Sequence, residues 1–455
     1  MNRIHQSLFK ETSILPLVGF RIIFGMLMVI GTLRFLFNGW VHQLYIQPKF
    51  YFGFIEGISP LPGNWMYLPF ILLLIGAIGI IFGAFYRISA ILAFVSFTYI
   101  EVLDKTNYLN HYYFVSLVLF LLCLVPANAY LSWDSKRNTT IQKTVVPQWT
   151  IRIVQLQLAV VYFFAGVAKV NPDWLLHAQP LAIWLQAYRD LPIVGDYFAT
   201  SWLAFAFSWF GCIYDLTIPF FLLGNKTRPY AYFFVVVFHI VTWLLFPIGV
   251  FPWVMIFSTL IFFPATFHEK WLSKVATWFR WEKDKNVLPS HYQTNKIIIS
   301  FLLVYVFLQL FLPLRCFFNH PQTLFWHEEG MRFSWRVMLM HKEGFATFYV
   351  RDKKSKREIQ VRNEDFLTIG QIDQMATQPD MIKQYADYLY TKFEDSLFQT
   401  IQGPFRLHQP SIHAEIYVSL NGRNTQLFLS KKHHLQEKKY TFAPHKWLEP
   451  FTTKL

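Results

Sequence analysis

Charge is scarce in this chain. Asp, Glu, Lys and Arg make up 15% of its 455 residues, against about a quarter in soluble globular domains. That shortage excludes an ordinary soluble enzyme of this length. Cysteine is scarcer still, limited to Cys123, Cys212 and Cys316. With no CxxC pair among them, a disulfide framework and a cysteine metal site are both excluded. No HExxH, P-loop or serine elbow occurs, so zinc-protease, nucleotide-binding and α/β-hydrolase chemistry have no anchor. There is also no internal repeat and no low-complexity tract.

Apolar and aromatic residues are abundant, at 54% and 19%. Several apolar runs exceed the roughly 18 residues that suggest a membrane span. About nine spans can be drawn by length: Ile14–Phe37, Met66–Tyr86, Ile88–Leu103, His111–Tyr130, Trp149–Val170, Ser201–Leu223, Pro229–Phe246, Gly249–Phe267 and Lys296–Leu314. The first follows a short basic head and reads as an uncleaved helix, because further spans follow it. The formal net charge is +14. In a soluble protein that would suggest nucleic acid. Here the basic residues sit mainly in short loops and the C-terminal region, which points to topology and anionic lipid and to no nucleic-acid partner.

Basic loop residues alternate between sides. Arg3, Lys10, Arg87, Lys136, Arg137, Lys143, Lys226, Arg228, Lys270, Lys274, Arg280, Lys283 and Lys285 fall on one side; Lys49, Lys105 and Arg189 fall on the other. The rule that basic loops stay in the cytoplasm puts the N-terminus inside. An odd number of spans then puts everything after Leu314 outside, as in a multi-pass integral membrane protein. Charges return from about Arg315. Period-two alternation is visible in Phe333–Met340, Ala346–Val350, Glu358–Arg362 and Glu415–Leu420, as strands require. Asn421-Gly422 is a hairpin signal. Asp380–Lys392 reads as one amphipathic helix, with Met381, Tyr385, Tyr388 and Leu389 on a single face. The expected fold is an α-helical polytopic membrane domain over residues 1–314, followed by a mostly β extracytoplasmic domain over residues 315–455.

Lys169 stands at the end of one apolar run, in VYFFAGVAKVNPDW (Val161–Trp174). Lysine is costly there. It either snorkels to the interface or, desolvated, serves as a base near neutral pH. Ala165 and Gly166 lie one turn earlier and allow close approach of a neighbouring helix. Tyr162 lies two turns back on the same face. Asp104, Asn110 and His111 cluster in LDKTNYLNHYY (Leu103–Tyr113). A histidine there can hydrogen-bond a substrate oxygen or move a proton; the plainer reading is a polar loop with Asn110 capping a helix. Arg21, Arg34, Glu101 and Asp215 also lie in apolar runs. Pairing is the expected state of Arg21, Glu101 and Asp215, while His239 is open. Trp326–Met340, which contains Trp335, reads as a substrate mouth or an interfacial aromatic belt. His433-His434 reads as solvated.

At these residues the sequence resembles the vitamin K-dependent gamma-glutamyl carboxylase family, whose bacterial relatives share its membrane domain. The matching pieces stand in family order: FRIIFGMLMV (Phe20–Val29), SPLPGNWMYL (Ser59–Leu68), FYRISAIL (Phe85–Leu92), the two segments quoted above, Phe238-His239, QLFLP (Gln309–Pro313), RFSWRVMLM (Arg332–Met340), DMIKQYA (Asp380–Ala386) and EIYVSLNGR (Glu415–Arg423). The resemblance implies that a lysine deprotonates a vitamin K hydroquinone, menaquinol in a bacterium. Reaction with O2 then generates a base strong enough to take the γ-proton of a glutamate side chain, and the carbanion captures CO2. It implies Lys169 as that base and His111 as the catalytic histidine. Asn110, Asp104, Tyr162, His239 and Trp335 are the expected cofactor-binding residues, with no metal. Ala168 stands where the family usually has a first lysine. The expected partners are membrane lipid, the membrane quinol and a secreted or membrane protein bearing the glutamate. Animal members are longer, with a region that anchors a substrate propeptide, and the family's disulfide cysteines are missing here. A quinol epoxidase without peptide carboxylation, or a non-enzymatic membrane binding or transport protein, are the alternatives.

Overall fold

The computed structural model describes residues 2–281, 292–318, 324–400, 403–407, 409–438 and 445–452. Its N-terminal part is a layer of helices: α1 (Leu15–Phe37), α2 (Tyr67–Phe82), α3 (Tyr86–Val102), α4 (Asn110–Leu124), α5 (Trp149–Lys169), α6 (Ser201–Leu223), α7 (Arg228–Leu245), α8 (Phe251–Ser258), α9 (Ala265–Trp278) and α10 (Lys296–Leu314). Each expected apolar run is helical, but not each is a full span. Among the described residues six helices are long and apolar enough to cross a membrane, or seven if the pair containing α8 and α9 counts as one. That pair bends by 112° at Pro264, which cannot donate to the helix ladder. α3 and α4, at 17 and 15 residues, are shorter than the roughly 20 that a straight span needs.

Lipid explains the outer faces. Ile88, Ile91 and Val95 recur at helical spacing along α3 and are all exposed, which water would not tolerate as a continuous stripe. The inner faces pack closely because small residues sit at the crossings. A Cβ added to Gly76 of α2 would lie 2.7 Å from the Ser89 carbonyl of α3. Arg21, buried in α1, donates to the carbonyls of Ala127 and Leu131 at 3.0 and 2.6 Å. Its terminal nitrogens are thus satisfied by carbonyls without a second charge, while its Nε has no partner among the described residues.

The C-terminal part holds a four-stranded antiparallel sheet of β1 (Lys342–Asp352), β2 (Glu358–Val361), β3 (Pro410–Leu420) and β4 (Gln426–Leu429), in the order β2-β1-β3-β4. Two helices, α11 (Ile369–Met375) and α12 (Pro379–Phe393), accompany it. Met381, Tyr385 and Leu389 form the buried face of α12, in one core with Phe348, Ile412 and Ile416 of the sheet. Asn421 and Gly422 both have positive φ, 51° and 76°, as the turn after β3 requires.

Phe333–Met340 is not a strand. Phe333, Trp335 and Met338 have φ of 62°, 59° and 53°, so the alternation belongs to a run of turns. Left-handed non-glycine residues are costly and persist only where their surroundings hold them. Here the membrane domain holds them. The Tyr108 hydroxyl accepts from Phe333 N–H at 2.7 Å, and the Asn110 amide donates to the Arg336 carbonyl at 2.9 Å.

Candidate active site

Lys169 ends α5, and its side chain is buried against α6. Its Nζ lies 2.6 Å from Asp215 Oδ2 and 3.3 Å from the Ala165 carbonyl. The Trp174 ring stands 5.4 Å from the amine. Side-chain exposures of 9% for Lys169 and 6% for Asp215 mean that the pair is held out of solvent, so the amine does not reach water by snorkelling. Gly166 makes the contact possible. A Cβ at that position would lie 2.7 Å from the Leu216 backbone nitrogen. Gly166→Leu is therefore expected to push α6 away and separate the pair, at a cost of about 1–3 kcal/mol. A thermal-unfolding midpoint equal to that of the wild type would count against this.

His111 lies elsewhere in the helical layer, at the start of α4. It lines a cavity of about 90 Å³ with Arg34, Glu101, Tyr112 and Phe251. A second cavity, of about 230 Å³, lies between α3 and α4 and is also lined by Glu101. Lys169 lines neither. A row of rings connects the two places. His111 stacks on Phe251 at 4.8 Å, and Phe251 meets His239 edge-on at 6.4 Å. His239 Nε2 is 3.1 Å from the Tyr162 hydroxyl, and Tyr162 packs against Tyr214, the neighbour of Asp215, at 6.0 Å. Tyr162 and His239 are thus partners of each other.

Asn110 does not cap α4; the cap position is Leu109, with no side-chain cap. It instead accepts from the Tyr108 hydroxyl at 3.1 Å while holding Arg336. Trp335 is buried and stacks on Tyr113, with centroids 5.0 Å apart. Farther along the same segment, Leu339 packs in one apolar cluster with Ala168 and Trp174. The turn-rich segment therefore runs from the wall of the α3–α4 cavity to the surroundings of the lysine.

Asp104 is buried outside both cavities. One carboxylate oxygen accepts from Thr106 N–H at 2.9 Å, the other from the Gln371 amide of α11 at 2.9 Å. Burial pushes its pKa up. Its visible role is to seat the C-terminal domain on the α3–α4 loop. Two further contacts do the same. Lys105 and Arg332 meet Asp380, and Asp173 accepts from Asn421 and Arg423. His111 and Lys169 consequently lie at the end of the helical layer that faces the C-terminal domain.

Residues 9–267 match the HTTM domain, and residues 294–454 match the lumenal domain of vitamin K-dependent gamma-carboxylase. The chain belongs to the vitamin K-dependent gamma-carboxylase family. No solved structure matches it. The long apolar helices point to a membrane protein, and the name of the matched C-terminal domain points to a lumenal one. Three features of this site were not assigned from sequence: Asp215 as the partner of Lys169, Glu101 as a wall shared by two cavities, and Gln371 as the partner of Asp104. Asp215 and Glu101 carried a signal, a charge inside an apolar run; Gln371 carried none.

Proposed function

We propose that this protein couples oxidation of a membrane quinol by O2 to carboxylation of glutamate side chains with CO2. In a bacterial inner membrane, with the N-terminus cytoplasmic, the quinol would be menaquinol. The buried Lys169–Asp215 pair carries the reading. When bound, the quinol supplies, on oxidation by O2, the driving force that no side chain has for removing a γ-proton.

The chain's own residues have simpler tasks. Asp215 Oδ2, 2.6 Å from Nζ, is placed to take the lysine's proton. The amine then has a lone pair and can take the proton of a quinol hydroxyl. Asp215 fixes where that lone pair is made. His111, on a cavity wall, is suited to hold or move a second proton. Trp335 and Asn110 back the wall of the α3–α4 cavity, through Tyr113 and Tyr108, while Tyr162 and His239 hold each other in place. Aromatic walls exclude water from the strong base. The cavity between α3 and α4, of about 230 Å³, and its few polar groups fit an apolar ring with oxygen substituents, though Lys169 does not line it.

Full-length protein in lipid nanodiscs, given the quinol, O2, labelled CO2 and a glutamate-containing peptide, tests this reading. Quinone epoxide and acid-stable label in the peptide should appear together. Epoxide without label would leave a quinol epoxidase, and the absence of both products would overturn the proposal.

A further inference from the structure

We propose that Glu101 receives a hydroxyl of a flat aromatic quinol seated in the cavity between α3 and α4; this deepens the quinol reading above and rests on it. Glu101 sits on α3, and Ser116 of α4 donates to its Oε2 at 2.5 Å. That bond fixes the carboxyl group and leaves Oε1 as the remaining acceptor. Oε1 is buried and has no hydrogen-bond partner among the described residues; the same holds for the Thr98 hydroxyl. Thr98 precedes Glu101 by three residues, so the two share a helix face, and both line the 230 Å³ cavity. A buried polar atom without a partner is costly, and two in one cavity point to a ligand that completes them.

The walls say what the ligand is. Six of the eleven lining residues are aromatic: Phe54, Phe94, Tyr108, Tyr113, Phe120 and Phe333. The space far exceeds the share of one water, about 30 Å³, and its sides offer ring faces and edges. Aromatic faces around a carboxyl would also suit an organic cation. Here, however, Lys105 and Arg332 already stand over Phe54, at 5.9 and 5.7 Å, and repel another cation. A neutral ring carrying O–H donors satisfies Oε1 without that repulsion. The oxidised quinone has only acceptors, so Glu101 would favour the reduced form. Glu101 also lines the His111 cavity, so its carboxyl group stands in the wall between the two.

The test is equilibrium dialysis of 1,4-dihydroxynaphthalene and 1,4-naphthoquinone against full-length protein in nanodiscs without oxygen, corrected with empty nanodiscs. The wild type should bind the diol more tightly than the quinone. Glu101→Leu should weaken diol binding by about tenfold or more and leave quinone binding unchanged or stronger. Glu101→Gln, which keeps the shape, should lose most of the preference and serves if the leucine variant does not fold. A wild type that binds the two probes equally, or folded variants that keep the preference, would overturn the assignment. These results separate from the function test: catalysis by the wild type with an indifferent Glu101 sinks this site alone, whereas a Glu101-dependent preference in a protein that forms no product sinks the function reading alone.

Discussion

Lys169→Met is expected to lower quinol-dependent product formation by about 10²–10⁴-fold, the usual contribution of a general base. Taken alone, that loss is ambiguous. Removing one partner of a buried pair strands the other and costs about 3–5 kcal/mol, so a merely unfolded variant would also be inactive. Lys169→Met combined with Asp215→Leu resolves this. Both charges are gone, and the contact between α5 and α6 becomes apolar. The double variant should recover most of the thermal stability lost by the single one and none of the turnover. If it recovered turnover as well, Lys169 would be a structural residue, and the catalytic role assigned to it would fall.

Asp173→Ala should loosen the C-terminal domain. Asp173 receives Asn421 Nδ2 at 2.7 Å and both terminal nitrogens of Arg423, at 2.8 and 2.6 Å. This bidentate clamp ties the turn after β3 to the short helix that follows Lys169, Pro172–His177. The side chains are 12% and 9% exposed, so the alanine variant leaves Arg423 without its carboxylate. We expect a loss of about 3–5 kcal/mol in domain docking, read as faster proteolysis between the two domains. The same clamp gives a pH dependence. Burial alone would raise the Asp173 pKa, but hydrogen bonds from Arg423 and Asn421 outweigh it and hold the carboxyl below the usual range. Asp380 is likewise held down, by Arg332 and Lys105, against its burial. A depressed folded-state pKa stabilises above the unfolded value of about 4 and loses that contribution as pH falls through the folded value. The Asp173 and Asp380 contacts should therefore weaken progressively below about pH 4, while protonation of Asp104, whose pKa burial raises, works the other way. In an Asp104→Asn variant, docking that strengthened on acidification below about pH 4 would contradict the clamp.

Much of this was legible along the chain, because period and turn chemistry are local. The face of Met381, Tyr385 and Leu389, the turn at Asn421-Gly422 and the strands through Ala346–Val350 and Glu415–Leu420 follow from spacing alone. Lys169 stood out because charge is rare in an apolar helix. Asp215 stood out for the same reason, but its pairing with Lys169 did not, since it lies on a different helix and single-sequence spacing says nothing about which helices touch. Phe333–Met340 misled for a physical reason: positive-φ turns can carry alternating side chains as a strand does, and only the bonds from Tyr108 and Asn110 distinguish the two. The span count is approximate: the His111–Tyr130 run ends as helix at Leu124, while α3 matches its expected run and is short, at 17 residues. Glu101 read as a paired charge; the structure pairs one of its oxygens and leaves the other facing a cavity.

The most direct test of the whole account follows both products in one reaction. Wild type and the Lys169→Met/Asp215→Leu variant, matched for thermal stability, are given quinol, O2, labelled CO2 and a glutamate-containing peptide. The account predicts quinone epoxide and labelled γ-carboxyglutamate from the wild type, in step, and neither from the variant. Equal product from the two proteins, or none from a folded wild type, would contradict it.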